Sequence, residues 1–550
     1  MFGERGVTKK FIALIRFSKY NSQLQALSLK PLSWYLVLLT GLSVSIGWGV
    51  RGQFGHEYGA ALAGALGGMT IALLSGREDW RRRIHYFAFL GAVGFGFGGA
   101  MSYMKTVAYA HSSDSKTVLY GFFCLFVLGL IWAAPAGAGI AIAAYFPREE
   151  LTKFFVPICA VFLSWYAHDA MRMWTRDWPR YQYVLGGQGG VINLTILVVI
   201  VVCLIRRQYW GLGSRLMLYM AGGWWAGNIL LIRVLHIDMN PPRGDTWAGY
   251  LGLVFGIVAF CWRNKQGGIA FATIATGFLG GVGFALGTAV KLIVMSSGFN
   301  TNWHSVMEQT QGFFLGIALA ITLGLLIGRA PTIVDEPRTR RWTEVFSVVF
   351  VLCVLPYLNF RRSPGEWTKE IEGLTDKLYG ISISADLMPS RGFVGWLDFV
   401  FIALGFAMIL LLILHLKKPI PLIPESWTGK GQLFYLVFLW TIVVINFAMV
   451  LPRFTPIRLV TEWFMTLNAI ACTVLLVYAC FARSEETVEI ASETSYSPWI
   501  RNAIVFGLMG AAVVSCAGWS VKKALYGDRF AGLIYQDQIR FGPNNTNTVR

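Results

Sequence analysis

Three arginines in this sequence are each followed by a carboxylate within six residues. The pairs are Arg51 with Glu57, Arg243 with Asp245, and Arg458 with Glu462. A guanidinium donates paired hydrogen bonds to a carboxylate or a phosphate, so three convergent arginines would form an anion site. We therefore predict a site for an anionic or polyhydroxylated ligand, and its substrate-binding residues are Arg51, Arg243, Arg458, Glu462 and Asp245.

Two histidines stand directly beside carboxylates near the ends of apolar runs. His56 precedes Glu57, and His168 precedes Asp169. Imidazole titrates near pH 6.5, and burial raises the pKa of a carboxyl group toward the same range. We therefore predict His56, Glu57, His168 and Asp169 as proton-coupling residues.

The sequence predicts neither a metal site nor a cofactor site. It contains no HExxH motif, no Walker A motif and no GxSxG motif. The glycines of GFGFGG (94–99) lie inside an apolar run, where close helix packing explains them. All eight cysteines fall inside apolar runs without a CxxC pair, so we expect them to be small apolar core residues.

The composition indicates an all-α polytopic membrane protein. Of the 550 residues, 55% are hydrophobic and only 14% are charged, whereas a globular domain has about 25% charged residues. The net charge of +18 comes from basic residues between apolar runs, where membrane topology and anionic lipid explain them. The expected partners are the lipid bilayer and a small-molecule substrate, an anion or a sugar, and not nucleic acid.

Hydropathy predicts about fifteen transmembrane helices. Their approximate ranges are 32–50, 55–75, 84–104, 117–146, 154–170, 188–205, 215–235, 246–262, 268–293, 311–328, 343–360, 394–416, 431–451, 459–482 and 499–519. By the positive-inside rule, basic loops such as GREDWRRR (76–83) place the N-terminus in the cytoplasm and the C-terminus outside, in the periplasm. We expect a multi-pass protein of the cell membrane, the inner membrane of a two-membrane cell.

Internal similarity predicts two parallel six-helix repeats and a partial third three-helix unit. VGFGFG at 93 recurs as VGFALG at 282, GFF at 121 recurs at 312, and the segment from 151 aligns with that from 342, so the offsets are 189, 191 and 191. The predicted domains are an interfacial N-terminal segment (1–30), the first repeat (31–210), the second repeat (211–420) with an outer amphipathic loop (361–393), the partial third repeat (421–520) and a polar outer tail (521–550).

Three functions fit these features. The first is a secondary transporter of a small anionic or polyhydroxylated solute, with a charged site toward the outer leaflet and with proton coupling as an option, because internal repeats are frequent in transporters. The second is an outer-leaflet transferase or hydrolase acting on a lipid-linked or sugar substrate, with the arginines holding a phosphate. The third is a structural or assembly subunit in which charge pairs only hold helices together.

Overall fold

The computed structural model describes most of the chain between residues 33 and 531. The described ranges are 33–54, 58–100, 103–174, 187–237, 239, 244–299, 301–335, 342–360, 410, 414, 427–450, 460–481 and 495–531. Every regular element in these ranges is helical. Tyr35–Arg550 forms one compact unit, and Met1–Trp34 forms another, of which only residues 33 and 34 are described.

Long apolar helices alternate with short polar connections along the described chain. The first eight helices are α1 Trp34–Phe54, α2 Gly59–Leu74, α3 Glu78–Arg82, α4 Ile84–Gly96, α5 Met104–Ala110, α6 Ser115–Tyr145, α7 Arg148–Trp174 and α8 Gly187–Ile205. The others are α9 Leu212–Asn228, α10 Gly244–Arg263, α11 Gly267–Met295, α12 Trp303–Leu326, α13 Trp342–Val349, α14 Leu355–Phe360, α15 Trp427–Val450, α16 Val460–Phe481 and α17 Ser497–Tyr526. A π-helical turn, Ile229–Val234, extends α9, and a second, Phe350–Val354, joins α13 to α14.

The prediction of a helical membrane protein is confirmed. Ten helical segments in the described part of the chain are long and apolar enough to cross a membrane, and α2, α4 and most of α8 are apolar but shorter. A helix overlaps each predicted span except the twelfth, 394–416, which lies outside the described residues apart from two positions. The total number of crossings and the repeat arrangement stay predictions, and segments 1–30 and 361–393 also lie outside the described residues.

Glycines let the helices around α4 touch through their backbones. A Cβ atom on Gly64 of α2 would lie 2.1 Å from the carbonyl oxygen of Gly91 in α4. On the other side of α4, a Cβ on Gly139 of α6 would lie 2.2 Å from the carbonyl oxygen of Leu90. Small residues at helix crossings give the close van der Waals packing that holds helices together in lipid.

Arginines and acidic residues bind the connecting loops together at one end of these helices. Arg77 donates hydrogen bonds to the carbonyl oxygens of Ala330 (2.6 Å) and Pro331 (2.7 Å). Nearby, Arg83 Nε lies 3.0 Å from Asp335 Oδ2. Burial lowers the pKa of Arg83, and the charge of Asp335 opposes that shift. The loop after α2 and the loop after α12 therefore meet at one end, called the arginine end below.

At the opposite end, residues after α17 pack onto the connection between α5 and α6. The backbone N–H of Ala531 donates to the carbonyl oxygen of His111 (2.9 Å). In return the His111 ring Nδ1, 3.0 Å away, donates to the carbonyl oxygen of Ala531. Burial lowers the pKa of His111 to about 3, and the nearby charge of Lys291 contributes to the shift. His111 is therefore a neutral, structural histidine at neutral pH.

Candidate functional site

Close packing of α1 against α12 brings Arg51 beside Glu308. A Cβ on Gly312 would lie 2.5 Å from the Cβ of Trp48, so the two helices touch at this level. One turn away, a Cβ on Gly52 would lie only 1.8 Å from Oε2 of Glu308. The carboxylate therefore occupies the space that Gly52 leaves open beside Arg51.

One carboxylate oxygen of Glu308 is the centre of the site. Arg51 Nη1 donates a hydrogen bond to Glu308 Oε1 (3.1 Å), and the Tyr103 hydroxyl donates to the same oxygen. His304 Nε2 lies 2.9 Å from Oε1. Arg51 and Glu308 are completely buried, and Tyr103 and His304 are buried as well. These four residues are called the Arg51 cluster below.

Aromatic rings surround the guanidinium of Arg51. Its Cζ lies 4.7 Å from the ring centre of Trp48 and 4.8 Å from that of Trp132. Phe284 packs against both indoles, at 6.1 Å and 5.5 Å between ring centres. Trp48, Trp132 and Phe284 form what we call the aromatic wall. Its ring faces attract the cation and exclude water from it.

The length of α6 indicates the level at which the cluster would lie in a membrane. Helix α6 has 31 residues, about 46 Å at 1.5 Å per residue. Trp132 lies roughly 26 Å from its first residue and roughly 20 Å from its last at the same rise. The hydrocarbon core is about 30 Å thick, so any placement of α6 that spans the whole core puts Trp132 within it. Arg51, packed on Trp132, would then lie within the hydrocarbon core.

The first two turns of α12 are polar and buried, and they carry two members of the cluster. Asn302 caps the helix by accepting a hydrogen bond from the backbone N–H of Ser305 (3.2 Å). His304 and Glu308, four residues apart, then lie on one face of the helix. The predicted tenth span began at residue 311, eight residues after the observed start of α12 at Trp303. The two positions differ because hydropathy assigns a polar turn to water even where protein covers it.

Glu462, a predicted binding residue, lies next to the cluster through α16. Gln309, the neighbour of Glu308, donates to the carbonyl oxygen of Thr461 (2.9 Å). The Thr461 hydroxyl donates to Oε2 of Glu462 (2.7 Å), and Glu462 is buried. The structure therefore brings Arg51 and Glu462 to two helices that both contact α12.

Most of the other predicted site residues lie outside the described part of the structure. Arg243, Arg458, His56 and Glu57 are among the residues that are not described, as are the side chains of Asp245 in α10 and Asp169 in α7. His168 is described and buried near the end of α7. Helix α7 packs on α8 and α9.

Sequence reasoning missed Glu308, Tyr103 and the aromatic wall. One signal was available, because a histidine and a glutamate four residues apart share a helix face. Tyr103 and Trp132 carried no such signal, since aromatic residues are common throughout this chain. Their role follows only from the packing of α4, α5 and α6 around Arg51.

The cluster can exchange protons and pair with an anion. Imidazole and carboxyl groups can both take up a proton, and a proton added at His304 or Glu308 would change the local charge by one inside a buried site. The guanidinium of Arg51 is a donor fork suited to a carboxylate or phosphate. Among the described residues, no group of three His, Cys, Asp or Glu side chains is arranged to hold a metal ion.

Comparisons with known proteins give no relative from which a function could be transferred. No family model, no curated protein and no solved structure matches this chain.

Proposed function

We propose that this protein is a secondary transporter that carries a small anionic solute across the cell membrane together with protons. The observation that supports it is the Arg51 cluster, an ion-paired group of ionisable side chains buried in the helix bundle. Ionisable residues on membrane-spanning helices cost several kcal/mol to bury and typically mark substrate or proton pathways.

Burial of the cluster implies that access to it changes during the cycle. Arg51, Tyr103, His304 and Glu308 are shielded from solvent in this conformation, so a solute reaches Arg51 only after the helices around it separate. Opening toward one side at a time would carry the solute across. At the arginine end, Arg77 and Arg83 hold the loops together and would have to release them when that side opens.

Coupling to protons follows because the bound anion and the added proton both change the charge of the same site. Addition of a proton to His304 or Glu308 makes the cluster more positive by one charge, and this favours an anion beside Arg51. Linkage is reciprocal, so the bound anion raises proton affinity by the same factor. In a site that excludes water, this coupling is stronger than in solvent.

The alternatives fit the burial of the cluster less well. An outer-leaflet enzyme would need its arginine and its general base open to a substrate in the headgroup region, whereas Arg51, Tyr103, His304 and Glu308 are all buried. A structural pair would add little stability, because hydrophobic residues of similar volume often replace buried ion pairs without loss.

The orientation is part of the same proposal. The arginine end carries the basic loop 76–83 and would face the cytoplasm under the positive-inside rule. The N-terminus would then be cytoplasmic and the C-terminus periplasmic.

Solute uptake into proteoliposomes tests this function. Labelled anions and sugars are offered with and without an inside-alkaline pH gradient. We expect the gradient to stimulate uptake of at least one anion. Arg51→Lys, which keeps the charge but loses the donor fork, should reduce that uptake about tenfold, the equivalent of 1.4 kcal/mol. Arg82→Lys, at an exposed arginine, is the matched control and should transport normally. Absence of uptake for every solute would contradict the proposal.

A further inference from the structure

We propose that the transported anion is a monocarboxylate, which replaces the carboxylate of Glu308 on Arg51 when Glu308 takes up a proton. This inference rests on the proposed transport function and adds the substrate class and the stoichiometry to it. It predicts that one proton and one monocarboxylate move together without net charge.

The present partner of Arg51 shows which chemistry the site accepts. Glu308 is a carboxylate on a flexible side chain, and its Oε1 accepts hydrogen bonds from Arg51 Nη1 (3.1 Å) and from Tyr103. A substrate carboxylate in the same place would receive the same two donors. The protein therefore holds a built-in analogue of the ligand in its own binding position.

The aromatic wall argues against more strongly hydrated ligands. Trp48 and Trp132 lie on the guanidinium at 4.7 Å and 4.8 Å, and Phe284 contacts both rings. The rings offer no strong hydrogen-bond acceptor, and the indole N–H groups of Trp48 and Trp132, which have no hydrogen-bond partner among the described residues, can only donate. A sugar hydroxyl buried against them without a partner would cost about 1–3 kcal/mol. A second ligand carboxylate buried against these rings would cost still more, because the rings do not solvate an ionised group. A monocarboxylate with a compact or apolar body avoids both costs.

The exchange balances in protons and in charge. When the helices around the cluster separate, a hydronium ion from solvent reaches Glu308. Its O–H bond breaks as an O–H bond forms on the carboxylate, and a water molecule is left. Glu308, now neutral, releases Arg51, and the substrate carboxylate takes over the ion pair. Arg51 thus exchanges one carboxylate for another, and the net charge of the cluster is the same before and after.

Keeping the charge constant lowers the cost of moving the loaded site through the membrane. A cluster that gained a charge would pay several kcal/mol for its burial, whereas an exchanged ion pair does not add that penalty. An ionised carboxylate on Glu308 and a bound monocarboxylate exclude each other, because both require the same donors of Arg51.

Uptake assays on the wild-type protein test the substrate class and the stoichiometry. Proteoliposomes are offered aliphatic, hydroxy-, oxo- and aromatic monocarboxylates, matched dicarboxylates, inorganic phosphate and neutral sugars. A pH gradient, or a potassium diffusion potential set with valinomycin, is imposed separately. We expect uptake of monocarboxylates alone, driven by the pH gradient and unchanged by the potential. Uptake of only a dicarboxylate, phosphate or sugar would overturn this inference but leave the transporter proposal standing. Uptake that the potential drives more than about twofold would overturn the stoichiometry, and the absence of any uptake would remove both proposals.

Glu308→Gln then tests the exchange step, because glutamine imitates the protonated carboxyl group. This variant should still exchange labelled for unlabelled monocarboxylate across the membrane but should no longer accumulate it under a pH gradient. Glu78→Gln removes an exposed carboxylate on α3 and is the matched control, with both activities retained. Accumulation by Glu308→Gln at the wild-type level would refute the exchange.

Discussion

Removal of Arg51 alone should destabilise the protein more than removal of Arg51 and Glu308 together. The structure buries both side chains completely, so solvent does not screen either charge. Arg51→Met leaves the carboxylate of Glu308 in a water-poor site without its cation, and loss of one partner of a buried pair costs about 3–5 kcal/mol. Glu308→Leu leaves the guanidinium without its anion and should cost a similar amount.

The double variant, Arg51→Met with Glu308→Leu, removes both members of this ion pair. Apolar replacements of a buried ion pair are often neutral or stabilising, so its free energy of unfolding should fall within about 2 kcal/mol of wild type. A double-mutant cycle would then give a coupling energy of at least about 3 kcal/mol between the two positions. Unfolding followed in mixed detergent micelles measures all four proteins.

The exposed pair Arg82 and Glu78 on α3 provides the matched control. Its side chains are 61% and 47% exposed, and an exposed pair four residues apart contributes about 0.3–0.5 kcal/mol. The corresponding cycle at these positions should show little coupling. If the effects of Arg51→Met and Glu308→Leu simply added, the ion pair would not be the energetic unit that the structure indicates.

Three further predictions address other parts of the molecule. Gly52→Ala places a methyl group 1.8 Å from the carboxylate of Glu308 and should reduce uptake at least about tenfold (1.4 kcal/mol). Gly222→Ala, whose methyl group would meet nothing within 4 Å, is the control and should transport normally. Equal uptake by the two variants would show that the carboxylate is not held beside Gly52. Asp335→Asn leaves the buried guanidinium at the arginine end without its anion and should lower the free energy of unfolding by about 3–5 kcal/mol, against at most about 0.5 kcal/mol for Glu78→Gln. Burial lowers the pKa of His111 to about 3, below its ordinary value of about 6.5. As the pH falls, His111 therefore takes up a proton in the unfolded chain before it does so in the folded protein. The stability that is present above pH 6.5 should be lost between pH 6.5 and 3. His111→Gln should flatten the fall in melting temperature across that window, and an unchanged pH dependence would show that His111 does not titrate between folded and unfolded states.

The helices could be predicted from the sequence because membrane-spanning segments are long and apolar. The observed α6, Ser115–Tyr145, differs from the predicted span 117–146 by only two residues at its start. Arg51 could also be selected, since an arginine inside an apolar run requires a partner or a cavity. These inferences depend only on the local composition of the chain.

The partner of Arg51 could not be predicted in the same way. Glu308 is more than 250 residues away along the chain, and it lies in a polar turn that hydropathy placed outside the membrane. Its burial depends on Gly312, which lets α12 approach α1, and on Gly52, which leaves space for the carboxylate. Those contacts belong to the tertiary packing, and a single sequence contains no direct signal for them.

The central claim is that the Arg51 cluster couples an anion to a proton. It is tested most directly by proton influx into proteoliposomes that contain a trapped pH-sensitive dye, after anions are added outside. We predict that a monocarboxylate causes acidification of the interior with wild-type protein and that Glu308→Gln abolishes this signal. Equal acidification with wild type and Glu308→Gln, or no acidification with any anion, would contradict the account.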